Sequence, residues 1–332
     1  MVERTAGAVV QAAERLSVAD LTVAVGQETT IARNRRRPHG LVDPTVTVLR
    51  AGRGALPAAY FLHYACHPTV LGPDNLLISR DYVGFAVDAL ARATGGWTMF
   101  ANGACADINV GHSADRSALG LPSPGRTFER AEALGQRLAA EAGRALADAR
   151  PAVVGDEQRR TLAANRRAVL VPLRPAPRPE DARRAVASWR ERVRALEQAG
   201  AELETQHAAR LELMYADLAL QWVESRSDAQ TEAAEVLALA IGDVALVALP
   251  GEFFAESGLR LRAQSPFPCT IPVGYAGGGI GYVPPAAAFE EGGYETRLTP
   301  WSRVAPDAEA RILSAAIDIL HALRRQQREG PG

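Results

Sequence analysis

The stretch from Tyr60 to Tyr82 constrains this chain most. It opens on an apolar, aromatic run, Tyr60-Phe61-Leu62-His63-Tyr64-Ala65-Cys66, that reads as a buried strand and ends in His67-Pro68. Pro68 blocks continuation as a helix. A polar loop then crosses Asp74 and Asn75, and Ser79-Arg80-Asp81 opens a helix. A strand that stops at a ligand-capable side chain and passes into a polar loop is a common way to build a metal or catalytic site. His63 and His67 lie four positions apart, a spacing that on a helix would put both on one face. Along a strand four residues span ~13 Å, too far for one ion. The expectation is therefore one ligand, His67, with His63 packed or hydrogen-bonded within the layer.

The chain's 332 residues are 47% hydrophobic, which suffices for a large core and permits one large or two ordinary domains. A formal net charge of -1 argues for no nucleic-acid partner and no acidic membrane surface. The Arg35-Arg36-Arg37 run reads as a solvated loop. Three cysteines, Cys66, Cys105 and Cys269, form no even framework, which suits a reducing compartment. No apolar span is long enough to cross a membrane. Met1 leads into an amphipathic helix rather than a signal peptide, so a cytoplasmic location is the expectation for the chain as given.

Hydrophobic periodicity predicts helices over residues 3–17, 81–92 and 128–146, and a final helix opened by Asp307. Strands are predicted at 21–25, 46–49, 60–67, 97–100 and 153–171. The pair 236–241 and 244–249 is joined by a Gly242-Asp243 hairpin turn. Ile271-Pro272-Val273-Gly274 reads as an edge strand, and Phe253 as the start of a helix through Leu261. A Pro-rich stretch at 174–179 precedes two Arg/Glu/Ala-rich helices divided near Gly200. Their inner stripes are predicted to hold Val186, Trp189, Val193 and Leu196, then Leu203, His207, Leu211, Met214, Leu218 and Trp222. The fold class is α/β: a layered sheet flanked by helices, one domain over 1–332 with an antiparallel helical hairpin inserted at 175–228.

His67, the loop Asn102 to Asn109 and Glu252 each follow a predicted strand, at the rim where open α/β sheets bind ligands. Imidazole and carboxylate are common zinc ligands and a phenol is a further donor. The predicted ligands are His67, Glu252 and Tyr294, the last in a Gly292-Gly293 loop. Asp107 is placed to act as general base on an activated water or to orient a ligand. Structural readings stand beside these: a helix-start carboxylate for Glu252, a packed loop aromatic for Tyr294, an Asx-turn or N-cap for Asp107, and helix capping for Ser79 and Asp81.

Ala65-Cys66-His67-Pro68-Thr69, Asn75 to Tyr82, Asn102 to Asn109, Leu249-Pro250-Gly251-Glu252 and Tyr294-Glu295 together resemble the neutral/alkaline non-lysosomal ceramidase family, specifically its shorter bacterial relatives. The resemblance spans about residues 3–325. It implies a zinc amidohydrolase cleaving an N-acyl bond, with His67, Glu252 and Tyr294 as ligands. It also implies Arg35 beside the scissile carbonyl, and Asn75, Asp81, Asn102 and Asn109 as supporting or substrate groups. Three departures accompany it. The family's first zinc histidine lies upstream of residues 3–17, so the chain reads as N-terminally incomplete. Asp107 stands where the family carries a serine. The family's C-terminal immunoglobulin-like domain is missing. The expected function is a zinc-dependent hydrolase of a small-molecule or lipid-like amide or an ester. The alternative is a catalytically silent, truncated domain that binds a small molecule or a partner protein. A homo-oligomer docked through the Arg-rich hairpin is a further option.

Overall fold

The computed structural model describes residues 2–54, 58–152, 162–226 and 228–329. The first half of the chain runs α1 (Val2–Glu14), β1 (Asp20–Gln27), β2 (Arg33–Asn34), β3 (Thr45–Gly52), β4 (Ala59–Tyr64), α2 (Asp81–Thr94), β5 (Trp97–Asn102), β6 (Ile108–Asn109), α3 (Ala114–Ala118), α4 (Phe128–Leu146) and β7 (Arg150–Pro151). The second half runs β8 (Leu162–Pro172), α5 (Pro179–Gln198), α6 (Leu203–Ser225), β9 (Thr231–Ile241), β10 (Val244–Ala248), β11 (Glu252–Phe253), α7 (Ala255–Gln264), β12 (Cys269–Val273), β13 (Tyr282–Val283), α8 (Ala286–Glu291) and α9 (Ala308–Glu329). The predicted helix at 3–17 is α1, but none of its residues is buried and Val9 and Val10 face solvent.

The α/β class holds, and the sheet layer resolves into two stacked sheets, β5-β4-β3-β1-β7 and β12-β10-β9-β8. Period-two alternation explains the stacking, because successive side chains leave a strand on opposite faces. Ala24, Val48 and Leu62 share one core with Leu90 of α2 and Leu138 of α4. Their strand neighbours Val23, Leu49 and Phe61 instead meet Val244 and Ile271 of the second sheet. Beyond that sheet, Ala238, Ala240 and Val247 pack on Ile312, Leu313 and Ile319 of α9. The order through the molecule is helices, sheet, sheet, helix.

Each sheet contains one parallel pair, β4 with β5 and β10 with β12. The carboxyl ends of these strands converge: Gly274 N–H, just past β12, donates to Asn102 O at the end of β5, 2.9 Å away. A Cβ on Gly274 would stand 2.7 Å from the Gly103 carbonyl oxygen, so this junction admits no side chain. Gly242-Asp243 joins β9 to β10 with Ile241 opposite Val244, as the turn signature predicts. The helical pair α5–α6 leaves from β8 and returns into β9. Arg183–Glu224, Arg190–Asp217 and Arg210–Glu197 pair along it in antiparallel order. Val186, Val193 and Trp222 are buried there as predicted, whereas Leu203 is exposed.

Two boundaries differ from the sequence reading. Strand β4 stops at Tyr64, three residues before His67. The chain peels away from β5 there because the Asn102 side-chain oxygen takes the Cys66 N–H (3.2 Å) and Ile108 O takes the His67 N–H (3.1 Å). Phe253 is not helical: Glu252 and Phe253 pair in parallel with Tyr282 and Val283. The helix waits until Ala255, whose N–H is capped by Asp107 Oδ1 at 2.9 Å. Of the predicted strand 153–171, residues 153–161 lie outside the described residues.

Candidate active site

His67 and Glu252, 185 positions apart in sequence by their numbering, face each other across a cleft of about 680 Å³ whose walls include Thr69, Asn102, Tyr275 and Tyr282. His67 Nε2 lies 3.5 Å from Glu252 Oε2 and is buried without a hydrogen-bond partner. The Tyr275 hydroxyl joins the two, 3.0 Å from His67 Nδ1 and 3.4 Å from Glu252 Oε2. With its one proton given to the carboxylate, Tyr275 accepts from His67 Nδ1–H, and Nε2 keeps its lone pair.

Burial, and then the Arg35 charge, hold the His67 imidazole down to about 3, so it is neutral at pH 7. Burial raises the Glu252 carboxyl above its ordinary range. Burial likewise raises Tyr275, Tyr282 and Tyr294, so each is a neutral phenol in the apo protein. A neutral imidazole lone pair facing a carboxylate is an electrostatically unsatisfied arrangement that a cation would satisfy.

Arg35 sits beside the cleft wall. Its Nε reaches Glu295 Oε1 at 2.8 Å, and a terminal nitrogen donates to the Tyr282 hydroxyl at 3.2 Å. The antiparallel pairing of β2 with β6 sets it there, with Arg35 N–H on Asp107 O. Tyr294 stands one ring further out, packed edge-on against Tyr282 with centroids 5.7 Å apart and under the Arg35 guanidinium.

Asp107 is brought close in the fold but not into the cleft wall. One oxygen caps Ala255 N–H and the other accepts from Asn34 Nδ2 at 2.8 Å. Burial pushes its carboxyl up to about 6. Asp81 lines the cleft, and its carboxylate takes the N–H groups of Val70 and Leu71, fixing the segment that follows His67. Asn109 is buried and bonds Gly111 and His112. Asn75 forms a local turn on Leu77 in the exposed loop and joins no part of the cleft lining. His63 donates Nε2–H to the Pro272 carbonyl at 2.7 Å, between the sheets, as expected.

Among the described residues no cluster of three His, Cys, Asp or Glu side chains has metal-holding geometry. His67 and Glu252 are the two side chains of that kind in the cleft lining besides Asp81, whose carboxylate is taken by backbone N–H groups.

No family model and no curated protein matches the sequence. Solved structures do match. A ceramidase complexed with C2 aligns over 96% of this chain and 55% of its own, with a TM-score of 0.64 and 17% identity. Neutral ceramidase from Pseudomonas aeruginosa aligns over 96% and 54%, with a TM-score of 0.68 and 18% identity. The chain shares the ceramidase fold. It spans about half the length of those ceramidase chains.

The sequence reading gave no role to Tyr275 or Tyr282, and quoted Glu295 only within the Tyr294-Glu295 match. The available signal was compositional: three of the seven tyrosines fall between residues 275 and 294, among glycines. Tyr275 also takes a positive φ of 59°, a left-handed backbone that an aromatic residue rarely adopts. No helix of the described residues is long and apolar enough to cross a membrane.

Proposed function

We propose that the chain is a metal-dependent hydrolase of the ceramidase kind that cleaves an amide or ester bond, with zinc as the metal. The observation that carries this is the orphaned His67 Nε2 lone pair 3.5 Å from Glu252 Oε2. Ligand atoms at ~2.1 Å on two corners of a zinc tetrahedron stand ~3.4 Å apart, so the residues present fit the ion. When bound, zinc supplies Lewis-acid polarisation and a more acidic water.

His67 Nε2 and the Glu252 carboxylate would hold the ion; the phenol that lines the cleft with them is Tyr282, whereas Tyr294, the one the family resemblance implies, stands behind it. Tyr275 sets the His67 tautomer by accepting from Nδ1, the outer-shell role that ligating histidines regularly need. Arg35, held in place by Glu295, presents a fixed positive charge at the cleft wall, where an acyl oxygen gains charge during attack. Asp107 has both carboxylate oxygens engaged by Ala255 and Asn34, which favours orienting the Asn34-Arg35 segment over acting as base. Apolar contact for an acyl group comes from Val83 and Phe100 in the cleft and from the exposed run Leu76-Leu77-Ile78 beside it. These features support a lipid-like amide.

Plasma-emission analysis of the purified protein tests this. The expected result is close to one equivalent of zinc in the wild type and less than about a tenth of an equivalent in His67→Ala. A wild type that holds no zinc, and takes none up when it is supplied, would favour the catalytically silent reading.

A further inference from the structure

A second cavity of about 810 Å³ adjoins the site on the far side of Arg35 and is lined by Arg33, Arg35 and His112 among others. Arg33 is in this lining, and Arg126 and Arg130, outside it, lie within electrostatic reach of its His112. Arg126 donates to the carbonyls of Thr69, Val70 and Leu71 and to Ser117 Oγ. Arg130 donates to the carbonyls of Gly125 and Val110, and Arg33 to those of Thr29 and Ala32. None of the three enters an ion pair among the described residues. Asp74 and Asp81 lie within electrostatic reach of Arg126, but Asp81 is already engaged by backbone N–H groups. By contrast Arg35, Arg36 and Arg37 are each ion-paired, with Glu295 or Glu291.

Carbonyl oxygens fix a guanidinium in place without cancelling its charge. The ordering entropy is spent on folding and the positive field stays available to a ligand. The segment they surround is equally fixed. Asn109 ties the His112 backbone, Arg130 holds Val110 O, and Arg33 packs over Gly111, which adopts a positive φ of 97°. His112 reports the field. Burial, then Arg126, Arg35 and Arg130, hold its imidazole down to about 4. A focused positive site on a chain of net charge -1 is a local construction and not a consequence of composition.

We propose that the substrate carries an anionic group, a carboxylate or a phosphate, that seats against Arg33 and His112 in the field of Arg126 and Arg130 while its scissile bond lies at His67 and Glu252. This rests on the hydrolase reading and extends it. Arg35 stands between the two parts, bonded to Tyr282 of the cleft wall and lining the basic cavity. The substrate class is then an anionic acyl amide or ester, with its acyl part along Val83 and Phe100.

Two measurements on the full chain test it. Calorimetric titration with inorganic phosphate at low salt should show binding that falls at least tenfold in the Arg33→Gln/Arg130→Gln double variant, whose melting temperature stays near that of the wild type. Three amides of one acyl length, whose amine half carries a carboxylate, a phosphate or no charge, are then compared with zinc supplied. A charged amide should exceed the neutral one at least tenfold in kcat/KM, with the advantage lost through KM in the double variant, and the carboxylate and phosphate arms tell the two anions apart. Phosphate binding that depends on the arginines in a protein that hydrolyses none of the amides would keep this site and remove the hydrolase reading. Equal or better turnover of the neutral amide would overturn the anionic substrate and keep the hydrolase. Phosphate binding that is absent or unchanged in the double variant also overturns the proposal.

Discussion

His63 and His67 belong to one short segment and both are held neutral, yet His63 is fully buried, His67 is half-buried, and they occupy different kinds of environment. His63 lies between the sheets, where the Pro272 carbonyl of β12 takes its Nε2–H. His67 lies three residues past the strand end, where Nε2 meets a carboxylate with no proton to share. The first region uses an imidazole as a packing unit with a satisfied donor. The second leaves a donor atom and an acid poised toward a common point. What separates the two imidazoles is the group each faces, a backbone carbonyl for His63 and a carboxylate for His67.

The largest effect expected from that contrast is on metal. His67→Ala and Glu252→Gln should each lose bound zinc and reduce hydrolysis by more than about a hundredfold. His63→Gln should keep the wild-type zinc stoichiometry and lower stability by about 1–3 kcal/mol through its lost hydrogen bond. Metal content and thermal melting of the three variants check this, and zinc loss in His63→Gln alone would break the contrast.

Acid stability follows next in size. Burial, then the Arg262 charge, hold His63 down to about 4 in the folded chain, against ~6.5 unfolded. Between those values the unfolded chain binds the extra proton. The His63 contribution is therefore present above pH ~6.5 and lost as pH falls toward 4, at most on the order of 3 kcal/mol. Asp107, pushed up to about 6, acts with the opposite sign, since its folded form holds a proton that the unfolded chain releases above ~3.9. Denaturant melts from pH 4 to 7 should rise with pH in the wild type, His67 and His112 acting in the same sense, and should rise less steeply in His63→Gln. An unchanged slope would mean that His63 is protonated in the folded state.

A smaller effect is expected at Tyr275. Tyr275→Phe keeps the ring and removes the hydroxyl between His67 and Glu252, and should weaken zinc binding about 10–100-fold. Chelator competition would measure it, and the melting temperature of the zinc-free protein should barely change. The smallest effect is expected far from both histidines. Arg210→Gln breaks an exposed pair with Glu197 on the helical hairpin and should cost less than about 1 kcal/mol, with zinc content unaltered.

Much of the fold was readable because its signals are local. The Gly242-Asp243 turn, the amphipathic α4 and the strand preceding the His67 loop each declare themselves within a few residues. Misplaced boundaries occurred where a distant group intervened. Asn102 ends β4 early by taking the Cys66 N–H, and Asp107 sets the start of α7 from 148 positions away. Tyr275 escaped notice because its contacts with His67 and Glu252 depend on a left-handed backbone in a glycine-rich loop, which has no periodic signature. The positive field at His112 escaped for a related reason: Arg33, Arg126 and Arg130 are dispersed in the sequence, and their common feature is the absence of a carboxylate partner.

The sequence by itself determined the α/β class, the hairpin insertion and the candidacy of His67 and Glu252, because periodicity, turn chemistry and residue type act over short spans of chain. Tertiary structure alone decided that the layer is two stacked sheets and that His67 faces Glu252 at 3.5 Å. It also decided that Asp107 is a capping group and that Arg33, Arg126 and Arg130 bond carbonyl oxygens and enter no ion pair among the described residues. The physical reason is common to all of these. They depend on which residues from separate elements meet at the ends of the parallel strands, and only the register and stacking of the two sheets fix those meetings.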